Sequence, residues 1–231
     1  QENYIKNGGF AEIEKDTIEK SKILRNLGIN LNLAPVVDIA QKQTDYIYTR
    51  TLGENEKLTA TYAKTVIASS KNTGVSYCLK HFPGYGNNSN THTSSSIDKR
   101  TNEEIQQKDL EPFRAGIKQG AETVLVSHNI VTSIDEKNPA SLSPNVHQLL
   151  RKDLNFTGII ITDDLAMTAV ASDKEAVVKA VIAENNLIIT SNYKEGISSV
   201  KKAIEERKIE EDVVNKLVFR VLAWKYYKGL L

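Results

Sequence analysis

The sequence predicts an α/β fold in which strands of a parallel sheet alternate with helices. Two observations predict it. Helical segments of about three to five turns alternate with short, β-branched apolar segments along most of the 231 residues. A glycine also stands between several of these helices and the strand that follows, where helices commonly end. Because a helical crossover returns each strand in the same direction, the alternation favours parallel pairing.

The first three repeats each consist of a helix, a glycine and a strand. The first helix is predicted over Ala11–Leu27, before the strand INLNLAPVVDI. The second is predicted over about Glu56–Lys71, before VSYCLKH. Thr101 and Glu104 form a capping-box pattern that begins the third helix, which runs to about Gln119 before ETVLVSHNIV.

The remaining elements continue the pattern to the end of the chain. A fourth repeat runs from Ser143 through LLRKDLNF to the strand IIITDD, and a fifth ends in the strand NNLIITSNY. Two further helices are predicted over about Tyr193–Glu206 and Glu210–Tyr227. The chain shows no boundary that would divide it into two domains.

Polar residues follow four of the predicted strands at the point where each strand ends. These residues are Asp38, then Lys80 and His81, then His128, then Asp163 and Asp164. In a (β/α)8 barrel the carboxyl ends of the strands form the active-site face. The sequence therefore predicts a fold of the (β/α)8 TIM-barrel type, with about five βα units visible and residues 1–231 forming one partial barrel domain. The alternative is that acidic residues and histidines simply begin loops and cap helices at these positions.

Composition excludes several classes of protein. The formal net charge is +1 without a long Lys/Arg block, so a nucleic-acid partner is not expected. No apolar segment reaches the roughly 18 to 20 residues of a membrane span, and the first residues do not resemble a signal peptide. Cys78 is alone and lies in an apolar segment, which favours a buried structural thiol. Compartment stays open, with export or the cell envelope preferred over the cytoplasm.

The motifs of nucleotide and hydrolase enzymes are also missing from the sequence. It contains no G-x-G-x-x-G, P-loop or G-x-S-x-G, and no cofactor is predicted. A metal site from His81, His92, His128 and Asp163 is an alternative, but these residues lack the tight spacing of known ligand motifs. Carboxylates and imidazoles on separate strand ends suit cleavage of a glycosidic bond, in which one group protonates the leaving oxygen while a carboxylate attacks the anomeric carbon.

Four motifs carry a resemblance to a known family. They are INLNLAPVVDI, YTRTLG, LKHFPGYG and LLRKDLNFTGIIITDDLAM. In this order they resemble the bacterial β-N-acetylglucosaminidases of glycoside hydrolase family 3, over most of the chain from about Glu14 onward. The resemblance implies a retaining hydrolase that acts on terminal β-linked N-acetylglucosamine, in cell-wall muropeptides or chitin oligosaccharides.

The resemblance also implies roles for particular residues. Asp163 matches the family's nucleophile, and His92 matches the acid/base histidine on the long loop after KHFPG. Arg50, Lys80 and His81 match groups that hold sugar hydroxyls. His128 is predicted to bind substrate as well, with a structural role as the alternative.

The chain departs from the family pattern in two places. Asn90 stands where the pattern has an aspartate two residues before the acid/base histidine, so the imidazole loses a charged partner. The family's early strands, one of which carries a sugar-binding aspartate, are not in this sequence, so a missing segment or second chain is expected to complete the barrel. A second hypothesis follows, in which the chain is a catalytically silent or impaired relative that binds sugar or packs in a larger assembly.

Overall fold

The structure, a computed structural model, describes residues 9–40, 42–86, 90–91 and 96–231. Their contacts divide the chain into two compact units. The first unit contains the described residues of 1–88 and 101–125, and the second contains those of 89–100 and 126–231. The interpretation of residues 1–231 as one domain stays a prediction.

The first unit has helices packed around short parallel strands. In the parallel pair formed by β1 (Leu31–Asn32) and β2 (Ser76–Phe82), Leu31 lies opposite Ser76 and Asn32 lies opposite Tyr77. With β4 (Thr123–Val126) the strand order is β1-β2-β4, so β2 is central. In chain order, the elements of the first unit are α1 (Gly9–Asn26), β1 (Leu31–Asn32), a 3-10 turn (Tyr48–Arg50), α2 (Glu56–Ser70), β2 (Ser76–Phe82), α3 (Asn102–Glu104), a π-helical turn (Ile105–Asp109), α4 (Leu110–Gln119) and β4 (Thr123–Val126). The last residue of β4 belongs to the second unit.

The core of the first unit lies between β2 and the helices α2 and α4. The rings of Phe82 and Phe113 meet edge to face, 5.1 Å between centroids. Gly116 in α4 lets the helix approach β2, because a Cβ there would come within 2.6 Å of the Leu79 side chain. The predicted capping box is confirmed, since Thr101 and Glu104 each bond the other's backbone N–H.

The second unit contains a small pair of parallel strands, a further strand and the last three helices of the chain. β3 (Ile97–Asp98) pairs in parallel with β5 (Ile130–Val131). The remaining elements are a 3-10 turn (Ala140–Leu142), α5 (Pro144–Gln148), a π-helical turn (Leu149–Asp153), β6 (Ile159–Thr162), α6 (Ala176–Ile182), α7 (Tyr193–Glu205) and α8 (Glu211–Tyr227). The two terminal helices confirm the sequence prediction, and α6 lies in the fifth predicted repeat, for which no helix bounds were given.

The prediction that NNLIITSNY forms a regular strand is wrong, because the segment makes a single isolated bridge, between Ile161 and Leu187. Side chains take the place of backbone partners on both sides of this bridge. The Asn186 carboxamide oxygen accepts from the Ile160 N–H at 2.9 Å. The Thr162 hydroxyl accepts from the Ile189 N–H at 3.0 Å. The segment therefore runs beside β6 without forming a regular ladder.

Helices α6, α7 and α8 share an apolar core in the second unit. It is formed by Val178, Val181, Ala203, Ile209 and Leu217. Among the described residues, no helix combines the length and apolar character needed to cross a membrane.

A buried histidine gives the second unit a pH-dependent stability. His147 donates its Nδ1–H to the Ser143 carbonyl at 2.8 Å, and burial lowers its pKa below the usual 6.5. The unfolded chain therefore binds a proton more readily than the folded chain, and stability falls as pH decreases below about 6.5. We expect a loss of up to about 1.4 kcal/mol per pH unit from this group.

Urea unfolding at pH 7.5 and pH 5 measures this effect. In His147→Gln, which cannot be protonated, the difference between the two pH values should shrink relative to the parent protein. An unchanged difference would show that other groups cause the acid sensitivity.

Candidate functional site

Residues of the first unit form a hydrogen-bonded chain at the carboxyl end of β2. The Asp38 carboxylate accepts the His81 Nδ1–H at 2.7 Å, and the His81 Nε2 lies 3.3 Å from Nη2 of Arg50. Because guanidinium only donates and carboxylate only accepts, these partners assign His81 the neutral form with the proton on Nδ1. The arrangement fixes the imidazole plane and holds the Arg50 guanidinium beside it.

Asp38 also organises the loop that follows β2. Its side chain is fully buried and accepts the backbone N–H of His81 and, at 2.7 Å, that of Tyr85. Gly84 has a φ of +130°, and a Cβ there would collide with the side chain of Asp109. The segment HFPGYG is therefore held by a buried carboxylate and needs glycine at this position.

Lys80 is placed by its backbone beside His81. Its N–H donates to the Pro35 carbonyl at 3.2 Å, and its carbonyl accepts from the Val37 N–H at 2.8 Å. The peptide bond between Lys80 and His81 is cis. The first unit thus brings Arg50 and His81, two predicted residues from separate motifs, into contact, and Lys80 adjoins His81 through the backbone.

Removing the charge of Asp38 should destabilise the protein strongly. Asp38→Asn replaces the charged acceptor of the buried His81 Nδ1–H and two backbone N–H groups with a neutral amide that keeps one oxygen. Because a hydrogen bond to a charged group is worth about 1.5 to 3 kcal/mol, we expect a loss of about 3 kcal/mol. Urea unfolding measures the loss. Asp16→Asn is a matched control, because the Asp16–Lys20 pair lies on the surface of α1 and is worth about 0.5 kcal/mol or less. Equal losses in both variants would contradict the role given to Asp38.

The second unit places Asp163 directly after β6. Its backbone N–H donates to the Val126 carbonyl at 2.9 Å, and its Oδ1 accepts the Asp164 N–H at 2.9 Å. The Asp164 side chain accepts the Ala166 N–H at 2.9 Å and so caps the turn that follows. Asp163 and Asp164 are both half-buried, but of the two side chains only that of Asp164 caps this turn.

His128 contacts the same segment. Its Nε2 lies 2.9 Å from the Asp164 carbonyl oxygen, and its Nδ1 lies 2.7 Å from the Ser141 hydroxyl. The ring is 1% exposed. Both ring nitrogens are therefore occupied by partners within the second unit.

The residues that flank His92 belong to the second unit as well. Asn90 is partly exposed, and the carbonyl of its buried neighbour Thr91 accepts the Ala169 N–H at 3.3 Å. On the other side, the Asp98 carbonyl accepts from the N–H and the hydroxyl of Thr132, each at 3.0 Å. His92 itself lies outside the described residues.

The remaining observations concern metal binding and site residues that were not predicted. No three His, Cys, Asp or Glu side chains among the described residues lie close enough to hold a metal ion. Asp38 and Ser141 take part in the hydrogen bonds of the site but were not predicted as site residues. Asp38 carried a signal, its position at a strand end, whereas nothing in the sequence pairs Ser141 with His128.

Comparisons with known proteins identify the kind of domain. A family model described as the N-terminal domain of glycosyl hydrolase family 3 matches residues 9–224. A β-hexosaminidase of Stenotrophomonas maltophilia (strain K279a) is 35% identical over 148 residues, which cover 63% of this chain and 44% of that protein. The matched region thus spans less than half of the length of this relative.

Solved structures give the same result. A glycoside hydrolase family 3 β-N-acetylglucosaminidase from Paenibacillus sp. str. FPU-7 matches with a TM-score of 0.91 at 29% identity, over 96% of this chain and 44% of that one. A fungal multi-domain β-N-acetylglucosaminidase of glycoside hydrolase family 3 matches with a TM-score of 0.90 at 25% identity, over 97% of this chain and 29% of that one. The predicted fold class, an α/β fold of the TIM-barrel type, is confirmed.

Proposed function

Because the chain belongs to the family of glycosyl hydrolase family 3 N-terminal domains, we propose that it is a glycoside hydrolase that removes terminal β-linked N-acetylglucosamine. The observation that carries the proposal is Asp163, a half-buried carboxylate at the end of β6 in the segment TDDLAM. The names of the related β-hexosaminidase and β-N-acetylglucosaminidases support the choice of sugar.

The reaction follows a retaining route in two steps. Oδ1 of Asp163 is engaged by the Asp164 N–H, and we assign the attack on the anomeric carbon to Oδ2. As the bond from carbon to Oδ2 forms, the glycosidic carbon–oxygen bond breaks and His92 protonates the leaving oxygen. His92 then removes a proton from water, which hydrolyses the glycosyl-aspartate and releases the sugar.

Arg50 and Lys80 are assigned to the sugar hydroxyls, and His81, whose two ring nitrogens bond Asp38 and Arg50, is assigned to orient the Arg50 guanidinium. The hydrogen bonds that His81 donates to Asp38 and accepts from Arg50 support this role, since they fix two polar groups in defined orientations at the end of β2. Asp38 is a positioning residue for His81. His128 is not given a sugar contact here, because both of its ring nitrogens have other partners.

The second candidate function is that of a silent or impaired relative that only binds sugar. Asn90 favours it, because an amide can orient an imidazole but cannot stabilise its protonated form as a carboxylate does. Release of 4-nitrophenol from its β-N-acetylglucosaminide by the purified chain decides between the two. Turnover supports the hydrolase, whereas binding of N-acetylglucosamine without turnover supports the silent relative.

We further propose that an additional segment or a second chain covers apolar surface that each unit exposes. In the first unit, Ile23 and Leu27 are 60% and 70% exposed, and in the second unit Phe219 of α8 is 72% exposed. Apolar patches of this kind commonly mark interaction surfaces. The oligomeric state of the purified chain tests the proposal, and a fully active monomer that does not self-associate would contradict it.

A further inference from the structure

We infer that His128 and Ser141 are positioning residues that hold the backbone of Asp164 so that its N–H fixes the carboxylate of Asp163. The inference rests on the proposed function, because it assumes that Asp163 is the nucleophile. Three successive hydrogen bonds carry it. Ser141 Oγ lies 2.7 Å from His128 Nδ1, His128 Nε2 lies 2.9 Å from the Asp164 carbonyl, and the Asp164 N–H lies 2.9 Å from Asp163 Oδ1.

The partners of His128 determine its tautomer. A carbonyl oxygen can only accept, so the proton must be on Nε2. The neutral ring then accepts the Ser141 hydroxyl proton at Nδ1, and a hydroxyl can donate that proton freely. The chain of donors thus runs in one direction, from Ser141 through His128 to the backbone of Asp164.

Ser141 is itself held rigidly. Its N–H donates to the Ser127 carbonyl at 2.8 Å, and its carbonyl accepts from the Asn185 side chain at 2.8 Å. Ser141 is fully buried, and His128 nearly so. Hydrogen bonds in such a low-dielectric setting are electrostatically stronger than those in water.

This arrangement matters for catalysis because attack requires a defined direction of approach. A carboxylate can rotate about its bond to Cβ, and the Asp164 N–H at Oδ1 restricts this rotation. A displacement of about 1 Å from the reactive geometry can cost roughly 100-fold in rate. A group that holds the nucleophile without touching the sugar lowers kcat when it is lost, and leaves KM nearly unchanged.

Two substitutions of His128 separate the contacts of its two nitrogens. The amide nitrogen of glutamine takes the approximate place of Nε2, whereas that of asparagine takes the place of Nδ1. With the 4-nitrophenyl β-N-acetylglucosaminide we expect His128→Asn to lower kcat about 30-fold with KM within about two-fold, and His128→Gln to restore kcat to within about five-fold of the parent. A raised KM with unchanged kcat would overturn the inference in favour of a sugar contact, and equal losses in both variants would overturn it in favour of simple packing.

Ser141→Ala provides a second variant, with Ser21→Ala as its matched control. Both delete a fully buried hydroxyl, but the Ser21 hydroxyl donates to the Thr17 carbonyl in α1, in the first unit. We expect kcat to fall about five-fold in Ser141→Ala and to stay unchanged in Ser21→Ala. An equal loss of kcat in both variants, or no loss in either variant, would contradict the inference.

The tautomer of His128 can be measured without turnover. The chain has four histidines, so long-range 1H–15N correlations of the labelled protein, compared with those of His128→Gln, assign the ring. A proton on Nε2 supports the hydrogen-bonded chain, and a proton on Nδ1 overturns it. If the parent chain shows the Nε2 proton but hydrolyses nothing, the proposed function fails while the contact between His128 and Asp164 is supported.

Discussion

Asp163→Ala is expected to abolish hydrolysis of 4-nitrophenyl β-N-acetylglucosaminide, with a loss of about 10⁴-fold or more in kcat. The alanine side chain cannot form a bond to the anomeric carbon, so the first step of the retaining route is lost. The side chain is half-buried at the end of β6 and forms its one described hydrogen bond with the next residue, so the fold should survive the change. Steady-state release of 4-nitrophenol measures the loss, and urea unfolding checks the fold.

Asp164→Asn is the matched control for this prediction. Asparagine keeps the oxygen that accepts the Ala166 N–H, so the turn after Asp163 is retained. We expect its kcat to stay within about ten-fold of the parent. If Asp164→Asn were as inactive as Asp163→Ala, the assignment of the nucleophile would be wrong. During turnover by the parent protein, intact mass spectrometry should also detect the glycosyl-aspartate as an added N-acetylhexosamine.

Asn90→Asp is expected to raise kcat about 100-fold, the second largest effect. By the family resemblance, an acid at this position pairs with His92, and a carboxylate partner stabilises the imidazolium that forms when the histidine takes a proton. Asn90 is partly exposed, so a carboxylate there does not require burial of an unpaired charge. The pH profile of kcat/KM should change together with the rate, because the acid/base group is the one affected.

Asn90→Ala serves as the control, because it removes the amide without supplying a charge. It should give no gain, and a gain equal to that of Asn90→Asp would show that relief from the amide, rather than the new carboxylate, raises the rate. If Asn90→Asp changes nothing in a protein that still binds N-acetylglucosamine, the silent relative becomes the better description of the chain.

The sequence by itself determined the order and kind of most elements. The apolar periodicity, the capping box at Thr101 and the glycines after the helices are local signals, and they depend on few distant contacts. The strand ends also marked the candidate residues of the site, because a polar side chain directly after an apolar segment can be recognised from the sequence alone. Family motifs then supplied a chemistry for Asp163, Lys80 and His81.

Only the tertiary structure decided which of these polar groups are used by the protein itself. Asp38 and His81 are 43 residues apart, yet a buried carboxylate there sets the tautomer of the imidazole. His128 was predicted to bind substrate or to have a structural role, and its nitrogens contact Ser141 and the backbone of Asp164. Hydrogen-bond partners of this kind depend on the packing of distant segments, and the residue types alone do not encode them. The irregular segment at Leu187 has the same cause, because the side chains of Thr162 and Asn186 replace the strand ladder that its β-branched sequence predicts.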